Sequence, residues 1–379
     1  MNYFSGRHPF FILLFFLLFF PAFWGLAQTQ VNPTYAEKLG WKKGDRVLIL
    51  HIDDAGMSYD SNVGTIKALE EGVANSVSVM MPCPWVPAFV KYLKQKPQTD
   101  AGLHLTLTSE WQNYRWGPLT GQQSVPGLAD TEGALWPSVN DVTSHASPDE
   151  VEAEIRAQLA RARKMGFNPT HLDSHMGTLF AHPDFIQRYI KVGIQERIPV
   201  MLPGGHNTLL IQQMQEEAKA RLVKEGKWKG GMAIPTLAGA AEIRQIGQTV
   251  WNAGLPVLDD LHNTSYGWNL PANVPPTDEN LRQLKVKNYI AAIKSLKPGV
   301  TMMIMHCTDP TEIFPQFSNS GPTRKGDSLA MLDPAVRKAL QEEHIILTTW
   351  RELKERRDKV VTQPAEKIKS NSDKKASLK

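Results

Sequence analysis

Short aliphatic runs recur along the chain, and stretches with helical spacing and recognisable end signals separate them. Residues 47–52 form a continuous β-branched-rich run, the pattern of a strand buried on both faces. Runs at 76–81, 101–107, 171–175, 199–202, 256–261 and 299–307 read the same way, and 344–348 closes the set. Helices are predicted over 58–72, 84–95, 147–165, 183–195, 209–226, 240–253, 279–296 and 350–358. The third opens on Ser147 with Pro148 in its first turn and stops at Gly166. Strand and helix in alternation predict an α/β fold with a parallel sheet and right-handed crossovers. The expected form is a distorted (β/α) barrel, TIM-like, in one domain over residues 28–358.

Two stretches break this rhythm. Residues 109–147 form a long loop with Trp111, Tyr114, Trp116 and Trp136, and a second aromatic pair, Tyr266 and Trp268, follows the strand that ends at Asp259 and Asp260. Long loops in compact domains are usually functional. The aromatic faces suit stacking against sugar rings, and they equally suit a small satellite core under the loop. At the N-terminus, Arg7 and His8 precede an apolar run over 9–24, then small residues at Gly25 and Ala27. This describes a signal peptide over 1–27 and an exported protein, periplasmic or extracellular, with an uncleaved anchor as the alternative. The Lys- and Ser-rich tail, 359–379, is expected to be disordered.

Composition narrows the partners. At 379 residues, 42% apolar and 21% charged, the chain has the make-up of an ordinary globular protein. A net charge of +4, part of it in the tail, gives no footing for nucleic acid, and no zinc-finger, P-loop or dinucleotide-binding glycine pattern is present. No membrane span is expected once the leader is removed. Cys83 and Cys307 are the two cysteines, and both read as free, buried thiols.

Candidate chemistry gathers at the strand ends. The first run ends in adjacent carboxylates, Asp53 and Asp54, and buried charge needs a partner or a metal. The strand at 101–107 carries His104, and the one at 171–175 carries His171, Asp173 and His175 at alternate positions, on one face. A carboxylate with two imidazoles offers three N/O ligands and leaves open positions, as catalytic metal sites do.

These residues together resemble a known family. His51-Ile52-Asp53-Asp54-Ala55-Gly56, Gly102-Leu103-His104-Leu105-Thr106 and Thr170-His171-Leu172-Asp173-Ser174-His175 are similar to the motifs of the YdjC-like carbohydrate deacetylases, in order and approximate spacing. The resemblance implies a divalent metal held by Asp54, His104 and His175; magnesium or zinc is expected, and the ligand set also accepts manganese or cobalt. It further implies Asp53 as general base and His306, at the end of a late strand, as the acid. The reaction implied is hydrolytic removal of acetyl groups, expected on nitrogen, from a carbohydrate or amino sugar.

The chain departs from the family pattern at His51, Ala55, Met176 and in the Cys307-Thr308-Asp309-Pro310 stretch, which leaves the substrate open. Trp111, Trp116, Trp136, Tyr266, Trp268 and Asp260 are the candidate substrate contacts. Asp173 could orient a ligand histidine or bond to nearby backbone, and Asp309 could orient His306 or form the turn before Pro310. Asp259 and Asp260 could orient a ligand or His306, or cap a helix or sit in a solvated loop. Two other readings fit the same residues. One is a glycosidase with paired carboxylates such as Asp53 and Asp260. The other is a carbohydrate-binding barrel without catalysis.

Overall fold

The computed structural model describes residues 32–232 and 240–362; the expected leader at 1–27 and the tail beyond 362 lie outside the described residues. Helix α1 (Tyr35–Lys38) leads to β1 (Arg46–Ala55), followed by α2 (Tyr59–Glu70), β2 (Ser76–Val79), α3 (Val86–Gln95) and β3 (Ala101–Leu105). A long connection carries α4 (Val139–His145) before α5 (Pro148–Lys164), β4 (Leu172–Ser174) and α6 (Pro183–Glu196). Then come α7 (Thr208–Lys224), α8 (Ala240–Asn252), β5 (Asp260–His262), α9 (Asp278–Ser295) and β6 (Gly299–Met305). The order ends with α10 (Gly321–Leu332), α11 (Pro334–Glu342), β7 (Ile346–Leu347) and α12, residues 350–362.

All strand pairs are parallel, in the order β4-β3-β2-β1-β6-β5, with β7 beside the start of β1. The expected strand at 199–202 is reduced to bridges, Val200 to Leu172 and Pro203 to Leu258. Backbone bonds from Leu172 to Pro199 (2.8 Å), Met201 to Leu172 (2.8 Å) and Leu258 to Leu202 (3.1 Å) stitch this segment between the two edges. It closes the ring and makes the sheet a distorted barrel. Pro199 and Pro203 lack the N–H that a longer ladder would need.

Strand β1 is buried on both faces, as its aliphatic run requires. Leu48, Leu50 and Ile52 pack with Val77, Leu103 and Met303, while Val47 and Ile49 pack with Leu258, Met302 and Trp350. The two sets alternate along the strand with the period of two that a strand imposes. Asp259 is not a ligand-orienting group. Its carboxylate accepts the N–H groups of Tyr35 (2.8 Å) and Ala36 (3.0 Å) of α1 and of Val300 (2.9 Å), pinning the first helix to β6.

Several helix ends follow the sequence signals. Ser58 caps α2, and Ser147 with Glu150 forms a reciprocal capping box on α5. Helices α10 and α11 carry no expectation from the sequence. The first opens on Ser320-Gly321-Pro322 without a side-chain cap, so it reads as a loop. Its Gly326 is a close-approach position, since a Cβ there would lie 2.8 Å from Cγ of Lys285 on α9.

The long loop is ordered. Glu154 of α5 accepts the backbone N–H groups of Leu119 (3.0 Å) and Thr120 (2.9 Å). Cys83 and Cys307 are both free and buried, as expected. Among the described residues, no helix is long and apolar enough to cross a membrane.

Candidate active site

In a regular strand Asp53 and Asp54 would point to opposite faces. Here the register of β1 shifts between Ile52 and Ala55, and Asp54 takes a left-handed conformation with φ 69°. The irregularity turns both carboxylates into one pocket: Asp53 lies 3.7 Å and Asp54 3.3 Å from His104 Nε2. A non-glycine residue in this region costs on the order of 1 kcal/mol, the kind of local strain found at functional sites.

His104 on β3 and His175, just past β4, complete the group. Their Nε2 and Nδ1 atoms respectively lie 3.3 Å from Asp54 Oδ1, an oxygen that is buried and has no hydrogen-bond partner. Two ring nitrogens beside an orphaned carboxylate oxygen make three N/O donors, which fit a divalent cation. Each ring is also held from behind. Nδ1 of His104 meets Asp173 at 2.7 Å, and Nε2 of His175 meets Glu110 at 3.2 Å.

Below Asp53, His51 is wholly buried. Its Nε2 lies 2.9 Å from Asp173 and 3.2 Å from Asp53, and its Nδ1 lies 2.9 Å from the Ser76 hydroxyl. His171 stacks on Trp350 with centroids 5.2 Å apart and serves the core. Gly102 makes room for it, since a Cβ there would come within 2.5 Å of the His171 ring.

The pocket is rich in carboxylates. Asp53, Asp54, Asp173 and Glu110 face one permanent positive charge, Arg324 of α10, which donates to Asp54 at 2.7 Å. Burial opposes the charge on Asp54, but Arg324 and the neighbouring rings outweigh it and hold the carboxyl well below the usual range. Burial likewise opposes charge on the imidazoles. Around His104 the effect of Asp53 and Asp173 prevails and lifts its pKa well above the usual value. Glu110 and Asp54 raise His175 to about 9, and Asp173 and Asp53 raise His51 to about 9.

His306 follows β6 and overlooks the pocket, with Nε2 3.9 Å from Asp53 and 4.0 Å from Asp54. Burial, aided by Arg324, pushes its pKa down. Its ring meets Tyr266 edge-on at a centroid distance of 5.0 Å. The support expected from Asp309 is absent, because that carboxylate pairs with Lys325. The ring's Nδ1 has no hydrogen-bond partner among the described residues, while Asp327 of α10 holds the backbone here, accepting the His306 N–H at 3.1 Å. Its other oxygen accepts from Lys285 and Tyr289, both at 2.8 Å, and both members of the Lys285–Asp327 pair are fully buried.

The expected substrate contacts separate into two groups. Trp116 and Trp136 spend their indole N–H groups on Thr108 O and Gly127 O, each at 2.8 Å, so they build the loop's own core. Trp111 packs against Trp116 and Phe317 and stays partly exposed. Tyr266 is 42% exposed, and with Trp268 it lines a cleft of about 570 Å³ that reaches the site only through Tyr266, since neither His306 nor the Asp54, His104 and His175 group lines it. Asp260 is a correction. It is fully buried and accepts the N–H groups of Leu209 (2.9 Å) and Leu210 (3.3 Å), so it caps α7 and does not face Asp53 across a sugar. This removes the Asp53–Asp260 pair as the carboxylates of a glycosidase.

Glu110, Arg324, Lys285 and Asp327 escaped the sequence reading. Glu110 alone carried a usable signal, since it follows the His104 strand within a few residues.

Comparisons with known proteins identify the family. The family model described as "YdjC-like protein" matches residues 47–342. A carbohydrate deacetylase of Thermus thermophilus is 30% identical over 322 residues, covering 84% of this chain and 97% of that protein. Another carbohydrate deacetylase, from Thermoanaerobacter pseudethanolicus, is 21% identical over 309 residues, 82% of this chain and 100% of its own. Among solved structures, a candidate cellobiose-phosphate cleavage protein of Enterococcus faecalis shares the fold. Its TM-score is 0.60 at 18% identity, over 82% of this chain and 99% of that one.

Proposed function

Because the chain belongs to the YdjC-like family, we propose that it is a metal-dependent hydrolase that removes acetyl groups, on nitrogen, from a carbohydrate or amino sugar. The carrying observation is the buried meeting of Asp54, His104 and His175 around an unpartnered carboxylate oxygen. A divalent metal held by these three residues would supply Lewis acidity toward the acyl oxygen and lower the pKa of water. The similarity to carbohydrate deacetylases supports the substrate class.

The chain's own residues then move the protons. Asp53 lies beside the triad and takes a proton from the attacking water, with Ser78 donating to its other oxygen at 3.4 Å. His306 hands a proton to the departing nitrogen. For this it enters the step as the imidazolium, whose lowered pKa makes it a strong acid, and the proton taken up by Asp53, 3.9 Å away, restores it afterwards. Tyr266 offers a flat face to the sugar beside this point, and Trp268 another in the adjoining cleft. The apolar run at 9–24 supports export of the protein.

The test is acetate release from a panel of N- and O-acetylated sugars, with chelator and then with metals restored. Metal-restored release from N-acetyl sugars is expected. Chelator-insensitive release would overturn the metal role, and bound metal with no release from any sugar would favour a binding protein. Asp54→Ala should lose metal and turnover together. Asp53→Asn should keep metal and lose turnover by about 10²–10⁴-fold; retained turnover would remove Asp53 from the mechanism.

A further inference from the structure

Glu110 is the first charged residue after β3, where the chain turns into the aromatic loop. Its carboxylate Oε2 lies 3.2 Å from His175 Nε2, the ring nitrogen turned away from Asp54. The arrangement repeats on the other imidazole, where Asp173 stands 2.7 Å behind His104. Both rings of the triad thus have one nitrogen toward Asp54 and the other toward a carboxylate. A ring held this way has a fixed tautomer, a fixed plane and a more basic donor nitrogen.

The position of Glu110 is set by the loop. The neighbouring Ser109 donates its N–H to Trp136 O at 2.9 Å, and its hydroxyl accepts the Trp116 N–H at 3.1 Å. Trp116 returns its indole N–H to Thr108 at 2.8 Å. Arg115 donates to Leu135 O at 2.8 Å and pairs with Asp130 at 2.5 Å, tying the start of the loop to its later turns. The glutamate's side chain is about one-fifth exposed, which leaves it replaceable without opening the core.

We propose that Glu110 is a positioning residue for the metal centre: it orients His175 from behind, and through it the folded aromatic loop sets the affinity of the site for a divalent cation. This rests on the triad reading above and adds a residue that the family motifs quoted for this chain do not contain. Glutamine keeps an acceptor oxygen at the same reach, whereas alanine removes it, so the two variants separate orientation from charge.

The experiment is calorimetric titration of the metal-stripped full chain with zinc and with magnesium, on wild type, Glu110→Ala and Glu110→Gln. Cobalt absorption spectra serve as a second readout, and circular dichroism verifies folding. The expected result is weakening by about 10–100-fold in Glu110→Ala with a perturbed cobalt spectrum, and recovery of most of the affinity in Glu110→Gln. Equal affinity in wild type and Glu110→Ala overturns the inference and leaves the triad intact. A Glu110→Gln variant as weak as Glu110→Ala also overturns it, because Glu110 would then act by its charge, as a direct ligand. A folded wild type that takes up no metal overturns the triad reading itself.

Discussion

Asp54 and Arg324 meet at 2.7 Å from elements 270 residues apart, and each is at most 3% exposed. This pair helps to hold the Asp54 carboxylate ionised and sets a fixed positive charge beside it. Removing one partner of a buried pair usually costs about 3–5 kcal/mol. Arg324→Met should therefore lose about that much stability in chelator, and less with saturating divalent metal, which offers Asp54 another counter-charge. Urea unfolding under both conditions tests this, and equal losses would mean that Arg324 acts through packing.

The Lys285–Asp327 pair makes a similar argument away from the metal. Lys285→Met alone strands the carboxylate and should cost about 3–5 kcal/mol, whereas Lys285→Met with Asp327→Asn should recover most of it. Denaturant midpoints of the single and double variants decide. A double variant as unstable as the single would show that the polar network is irreplaceable as a whole.

Burial pushes His262 from 6.5 down to about 4. Between these values the unfolded chain binds a proton that the folded chain refuses, so stability falls as pH drops from about 6.5 toward 4. The total loss from this group is about 3 kcal/mol. His262→Gln should flatten that part of the profile, measured as urea midpoints from pH 4 to 7. An unchanged slope would assign the acid sensitivity to other groups.

Metal uptake should release protons. Burial disfavours the charged imidazoles, yet the surrounding carboxylates lift His175 to about 9 and His104 well above its usual value. A cation must displace the protons these rings carry, so apparent affinity should rise with pH up to about 9. Titrations near neutral pH in buffers of different ionisation enthalpy would reveal the released protons. Heats independent of the buffer would mean that the rings are already neutral in the free site.

Much of the candidate site was legible because Asp53 and Asp54 end an apolar run while His104 and His175 lie on or at the end of other short predicted strands, and a parallel barrel gathers such strands. The same signal misled at Asp260. It ends a strand as Asp53 does, and only the seating of α7 against it makes it a cap. Arg324 was illegible for another reason. Its helix begins with Gly321-Pro322 and includes Gly326, so no apolar period marks it, and its partner lies far away in the chain. The stretch at 199–202 read as a strand by composition, while Pro199 and the following Pro203 reduce it to a seam. Local pattern thus found the pieces, and the long-range contacts decided what each piece does.

The place of β1 in the sheet also bears on how the protein comes into being. This strand pairs with β2 soon after it is made, but its other side waits for Gly299–Met305 and its first residues for Ile346–Leu347. During synthesis, an aliphatic strand carrying Asp53 and Asp54 therefore stands with an open edge until most of the chain has left the ribosome. Open edges of this kind invite pairing with other chains. The protein's yield in a cell thus hinges on how well that single edge is shielded while the last third of the chain is still being built.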